Sequence, residues 1–163
     1  MVNFQSFRGV VTQIDDFPIG QNGDKEGCYK LMTVEDRTQG IVNFVVSPST
    51  YFVNQEIVNP GDQVTGYYDG NAPVPLIYPP QYRALVVVKD NYNQNVKVDF
   101  FNNQLVSSDG QLQLNLSPYT LILLKNGQPF SKSPSNRNLI VIYGPTTRRI
   151  PAQTTPYKII VWC

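Results

Sequence analysis

The chain has 163 residues, with 13 Lys and Arg against 12 Asp and Glu, a formal net charge of +1. It contains no histidine and two cysteines, which excludes a triad with an imidazole base, a zinc site with histidine ligands and a four-thiolate site. The neutral amides, 15 Asn and 13 Gln, outnumber all charged residues, and no apolar run approaches the roughly 20 residues of a membrane-spanning helix.

Short apolar runs that alternate with polar residues predict β-strands along the whole chain, because no stretch of helical length shows a 3.6-residue period. In the first half, five strands are expected at 7–14, 28–35, 41–46, 63–68 and 82–88, with a further apolar stretch at 51–53 in the break after the third strand. In the second half, they are expected at 96–101, 105–107, 112–116, 121–124, 139–143 and 157–162.

The two halves repeat each other. Ser47-Pro-Ser-Thr50 matches Ser117-Pro-Tyr-Thr120 at an offset of 70 residues. The pair Tyr68 and Tyr82 matches the pair Tyr143 and Tyr157 at an offset of 75, with a proline-rich loop inside each pair. Chance similarity between two β-rich halves is the alternative, and the paired spacings argue against it. We therefore predict two domains, residues 1–90 and residues 91–163.

Each half resembles the OB-fold, a five-stranded Greek-key barrel, in its long first strand, the break after strand three and the Pro-Gly-Asp turn at 60–62. The predicted fold class is thus all-β, with two tandem small OB-like barrels or sandwiches. The whole chain also resembles a group of tandem OB-like β-barrel proteins of spore-forming Gram-positive bacteria, through residues 28–52, 76–82 and 142–158. This resemblance implies a spore-surface location and carries no activity across.

We do not expect an enzyme, because the few carboxylates lie mostly in turns and no nucleophile or phosphate-binding motif is present. No cofactor and no metal site are predicted. The cysteines are the more informative residues: Cys28 and Cys163 are candidates for a cross-link. The sequence leaves open whether they are free thiols, pair with each other or pair between copies.

One functional hypothesis is a binding module for single-stranded nucleic acid or a glycan, since aromatic and basic side chains alternate near the two proline-rich loops. The candidate ligand-binding residues are Tyr67, Tyr68, Tyr78, Tyr82, Arg83, Tyr143, Arg148, Arg149, Tyr157 and Lys158. The alternative is that these tyrosines pack beneath the loops. A net charge of +1 neutralises few phosphates, so nucleic acid is not an expected partner.

The preferred hypothesis is a structural protein that assembles with copies of itself, as a coat or appendage-fibre subunit. Low charge and an amide-rich surface suit contacts between identical chains. The candidate assembly residues are Phe4, Phe7, Ile160 and Trp162. The N-terminus has no basic segment followed by an apolar one, so we expect cytoplasmic synthesis without a signal peptide, no membrane association, and deposition on a spore surface.

Overall fold

A computed structural model describes residues 1–18 and 23–163, and the fold is all-β. The chain divides into two compact units, Met1–Asp90 (unit 1) and Asn91–Cys163 (unit 2), with the same bounds as the two predicted domains. Within the described part of the chain, no helix is long and apolar enough to cross a bilayer.

The described residues of unit 1 form seven strands and two short 3-10 helices, at Gly23–Lys25 and Val53–Gln55. The strands are β1 (Phe4–Asp16), β2 (Lys30–Asp36), β3 (Gly40–Val46), β4 (Tyr51–Phe52), β5 (Gln63–Asp69), β6 (Gln81–Arg83) and β7 (Val86–Lys89). They form one sheet in the order β4-β7-β5-β1-β2-β3-β6. The long strand β1 pairs with β5 through its first half and with β2 through its second half, and its register shifts between Val11 and Gln13.

One continuous segment, residues 81–89, supplies both the edge strand β6 and the strand β7 of this sheet. Strand β6 runs parallel to β3, and β7 runs antiparallel to β5. Between them, the Ala84 N–H donates to the Val45 carbonyl and the Leu85 N–H donates to the Tyr67 carbonyl. Residues 84 and 85 therefore pass from hydrogen bonds with β3 to hydrogen bonds with β5, so one stretch of chain contacts both strands.

Phe44 is the largest fully buried side chain of the described part of unit 1. Its ring lies across from Gly66 of β5, where a Cβ atom would come within 2.5 Å of the Phe44 Cζ. The other buried members of this core are Phe7, Val11, Met32, Val34, Val42, Val46, Val64, Ala84 and Val87.

Unit 2 contains six strands in two sheets, ordered β10-β13-β11-β8 and β12-β9. The strands are β8 (Asn95–Phe101), β9 (Leu112–Leu114), β10 (Leu121–Leu124), β11 (Arg137–Tyr143), β12 (Ala152–Thr154) and β13 (Lys158–Val161). The buried core is formed by Phe101, Leu112, Leu114, Leu139, Val141, Ile159 and Val161. The predicted strand at 105–107 makes only isolated bridges.

The strand pairings of the two units correspond. In unit 1, β4 and β7 are parallel, β5 and β7 antiparallel, and β3 and β6 parallel. The same relations hold in unit 2 for β10 and β13, β11 and β13, and β9 and β12. The matched turns also agree, because the Thr50 hydroxyl donates to the Ala84 carbonyl at 2.8 Å and the Thr120 hydroxyl to the Pro156 carbonyl at 3.0 Å.

One predicted correspondence within the repeat is wrong. The Leu85 N–H donates to the carbonyl of Tyr67, the residue before Tyr68, and the Tyr157 N–H donates to the carbonyl of Ile142, the residue before Tyr143. Tyr157 thus occupies the position of Leu85 and not that of Tyr82. The connection from Tyr143 to Tyr157 is three residues shorter than its counterpart in unit 1, which runs from Tyr68 to Leu85. The equal spacing within the two tyrosine pairs therefore compares residues that occupy different positions in the fold.

Candidate functional site

The predicted ligand-binding residues of unit 1 are divided by the structure. Tyr68, Tyr82 and Arg83 line a cavity of about 240 Å³ beside the loop between β5 and β6. Tyr67 and Tyr78 do not line it, and Tyr78 is 79% exposed. The remaining lining residues are Val2, Val45, Asp69, Ala72, Pro73, Val74, Pro75, Gln81 and Leu85.

The Tyr68 and Tyr82 rings stack on each other, with their centroids 3.9 Å apart and their planes 3° from parallel. Phe44 packs beneath both rings, at centroid distances of 6.2 and 6.4 Å. Burial, followed by the neighbouring Tyr82, raises the pKa of Tyr68, so its hydroxyl stays protonated at neutral pH. Each ring therefore uses one face in the stack, and both side chains pack against the buried core of unit 1.

Asp69 and Arg83 supply the charges of this cavity. The backbone N–H groups of Asn71 and Asn3 lower the pKa of Asp69, so it is an acceptor at neutral pH. The lining therefore combines apolar surface with a carboxylate, a guanidinium and an amide. Such a lining can hold a small polar molecule, but it holds no pair of nucleophile and base.

The predicted ligand-binding residues of unit 2 are distributed differently. Tyr143 is half-buried, and burial raises its pKa. Tyr157 packs on Gly144, where an added Cβ atom would collide with the tyrosine hydroxyl. Lys158 lies in β13 and is partly exposed, whereas Arg148 and Arg149 are fully on the surface. Tyr143 is thus half-buried, whereas Tyr157, like the two arginines, is exposed.

Two of the predicted assembly residues are not on the surface, which corrects that prediction. Phe7 belongs to the core of unit 1, because it alternates inward along β1, and Ile160 is only 2% exposed. Phe4 pairs with Asp69 in the β1–β5 ladder, so the N-terminal segment is already part of its own sheet. Trp162 is partly exposed, and the Lys125 ammonium lies 3.8 Å from the centre of its ring.

Cys28 and Cys163 are both exposed, and no disulfide joins them. Among residues 1–18 and 23–163, no group of three or more Cys, Asp and Glu side chains is arranged to hold a metal ion.

A second cavity, the apolar groove, measures about 270 Å³ and lies in unit 1 where β1 ends and β2 begins. Its apolar lining is formed by Ile14, Met32, Val46, Phe52, Ile57 and Val58. Lys30 and Glu56 supply its two charged groups. Lys30 forms an ion pair with Asp16, and Glu56 makes no ion pair with any residue in the described ranges.

Charge is segregated between the two units, a feature that the total of +1 conceals. Unit 1 carries six basic and ten acidic residues, a net charge of −4, whereas unit 2 carries seven basic and two acidic residues, a net charge of +5. Counting charges for each predicted domain would have found this asymmetry from the sequence.

The loop between β11 and β12 brings basic and apolar side chains together on the surface of unit 2. Arg148 and Arg149 are exposed and make no ion pair with other described residues, and the adjacent Ile150 is 76% exposed. We call residues 148–150 the basic loop. An exposed branched aliphatic residue that directly follows two guanidinium groups without ion pairs can bind an apolar surface that has carboxylates beside it.

No protein-family model matches the chain, and no curated protein sequence matches it.

Proposed function

We propose that this protein is a non-enzymatic structural protein whose copies assemble head to tail, unit 1 of one copy contacting unit 2 of the next. The observation that carries this proposal is the segregation of charge, −4 in unit 1 against +5 in unit 2. Opposite net charges attract the unlike units of two copies, and they steer the encounter before contact is made.

The same charges oppose contacts between like units. A contact of unit 1 with unit 1, or of unit 2 with unit 2, brings like charges together. A head-to-tail contact leaves one free surface at each end of the pair, so further copies can add, and the assembly grows into a fibre unless it closes into a ring.

We further propose that both units are OB-like barrels. In support, the long bulged strand β1 pairs with two neighbours, and the segment 81–89 bridges β3 and β5. The corresponding pairings of β9, β11, β12 and β13 support the same proposal for unit 2. The placement of the assembly on a spore surface, as a coat or fibre subunit, rests on the resemblance to proteins of spore-forming bacteria.

Sedimentation at two salt concentrations, with reductant present, tests the proposed assembly. At about 0.01 M salt the Debye length is about 30 Å, and at about 1 M it is about 3 Å. We expect concentration-dependent large species at low salt, fibres in electron micrographs of the same samples, and dissociation at high salt. A protein that remains monomeric at low salt and high concentration would contradict the proposal.

A second candidate function is binding of a small glycan, and the cavity at Tyr68 and Tyr82 favours it. Nucleic acid fits less well, because the unit that holds the cavity carries a net charge of −4. Titration with soluble oligosaccharides, followed by tyrosine fluorescence, tests this function. Binding that Arg83→Ala weakens would support it, and the absence of binding to any sugar would count against it.

A further inference from the structure

We propose that the head-to-tail contact is formed by the basic loop of one copy, which inserts Ile150 into the apolar groove of the next copy. This inference rests on the proposed function, because it names the two surfaces that join unit 2 to unit 1. The occupant of the groove is thus a second copy of this chain.

The basic loop has the exposure that a docking segment needs. Ile150 is 76% exposed, although it is a large aliphatic residue, and Arg148 and Arg149 precede it directly. Burying the Ile150 side chain in a partner removes apolar surface from water. The two guanidinium groups remain available for carboxylates, which they can bind through two parallel hydrogen bonds.

The apolar groove offers the complementary surface. Six of its lining residues are apolar, and its volume of about 270 Å³ exceeds the roughly 150 Å³ of an engineered cavity that holds benzene. An isoleucine side chain therefore fits without enlarging it. Ile57, which lines the groove, is 78% exposed, so it is open to a partner.

The charges around the groove favour an arginine-bearing partner. Glu56 lines the groove and has no ion pair in the described part of the chain. The positive charge of Lys30 is already compensated by Asp16. The groove thus presents unpaired negative charge beside an apolar floor, which matches the composition of the basic loop.

Another exposed apolar segment of the chain, residues 74–78, is less well matched to the groove. Leu76 is fully exposed and Val74, Ile77 and Tyr78 are also exposed, but the loop from 70 to 80 contains no charged residue. It belongs to unit 1, so its insertion into another unit 1 would bring two units of net charge −4 together. The basic loop is therefore the better occupant.

Two complementary variants test the contact. Ile150→Asp disables the donor loop, and Ile57→Lys disables the groove; both positions are exposed, so both variants should fold, as circular dichroism will show. At low salt we expect each variant alone to be monomeric. Because each retains the surface that the other has lost, an equimolar mixture should form dimers and nothing larger. A mixture that stays monomeric, or variants that assemble like the wild type, would overturn the proposal.

A matched pair of charge reversals separates this inference from the proposed function. Arg149→Glu and Lys132→Glu change the net charge of unit 2 equally, and both side chains are exposed. If the basic loop is the contact, Arg149→Glu should weaken association by about tenfold or more, whereas Lys132→Glu should have a clearly smaller effect. Equal losses would overturn the docking site while leaving assembly by net charge intact. A wild-type protein that never assembles would remove both proposals.

Discussion

Replacement of Gly66 by alanine tests the packing of β5 against β3 in the interior of unit 1. Gly66 lies in β5, and a Cβ atom at this position would come within 2.5 Å of the Cζ and 2.6 Å of the Cε2 of Phe44, which lies in β3. The Phe44 ring cannot retreat freely, because it is fully buried beneath the stacked rings of Tyr68 and Tyr82. The added methyl group therefore forces the backbone or the core to shift.

Overpacking of this kind costs roughly 1–3 kcal/mol in the free energy of unfolding. For a unit of this size, each kcal/mol lowers the melting temperature by about 4–8 °C. Urea and thermal unfolding followed by circular dichroism will measure the loss. Gly70→Ala is the control, because its Cβ would meet the exposed residues Gln5 and Asn3 and not a buried ring, and we expect a smaller loss of stability than for Gly66→Ala.

A double variant identifies the cause of the loss. Phe44→Leu removes the ring that the new methyl group would meet, so Gly66→Ala should cost at least about 1 kcal/mol less in the Phe44→Leu background than in the wild type. The reasoning would be refuted if Gly66→Ala left stability unchanged, or if its cost were the same in both backgrounds. Either result would mean that the β3 and β5 walls do not meet across the interior.

Three further expectations can be measured on the same protein. Thr50→Val and Thr120→Val should each lower the free energy of unfolding by about 1–3 kcal/mol. The reason is that each hydroxyl accepts a hydrogen bond from a turn N–H and donates one to a carbonyl later in the same unit. Variants as stable as the wild type would contradict this. Backbone N–H donors are the chief cause that lowers the pKa values of Asp62 and Asp69 in the folded protein. The two ionised carboxylates therefore stabilise the fold fully above the ordinary aspartate pKa of about 3.9. This stabilisation is lost as the pH falls through their lowered pKa values in the folded state. Urea midpoints should therefore be stable from about pH 7 to pH 5 and fall below about pH 4; midpoints that rise on acidification would refute the assignment. Both cysteines are exposed, so a thiol reagent should modify both in the folded protein, and mass spectrometry should find two adducts without denaturant.

Local alternation predicted most of the strands, but it could not predict how one strand divides between two partners. The run predicted as a single strand at 82–88 is divided into β6 and β7, because residues 84 and 85 turn from hydrogen bonds with Val45 to hydrogen bonds with Tyr67. Strand β12 was missed, because Ala152–Thr154 lacks apolar alternation and is held by its parallel partner β9. In both places the information lies in contacts distant in sequence.

The candidate assembly residues were also predicted only in part, because burial depends on contacts that are distant in sequence. Alternation along β1 and β13 shows which side chains share a face, but it cannot show which face is covered, and so Phe7 and Ile160 were assigned to the surface although both are buried. Charge, in contrast, needs only the domain boundary. When the chain is divided after Asp90, the total net charge of +1 proves to be the sum of −4 in unit 1 and +5 in unit 2. Neither unit has the low net charge on which the sequence-based hypothesis of self-assembly relied.

This separation changes what kind of assembly the chain favours. A uniformly neutral surface would permit contacts in many orientations, including symmetric ones, with little dependence on salt. Two units of opposite charge instead favour one polarity, in which each copy presents an acidic unit to the basic unit of its neighbour. The dependence of assembly on salt thus discriminates between the two physical origins: association that persists at about 1 M salt reports apolar and amide contacts, whereas association lost there reports the segregated charge.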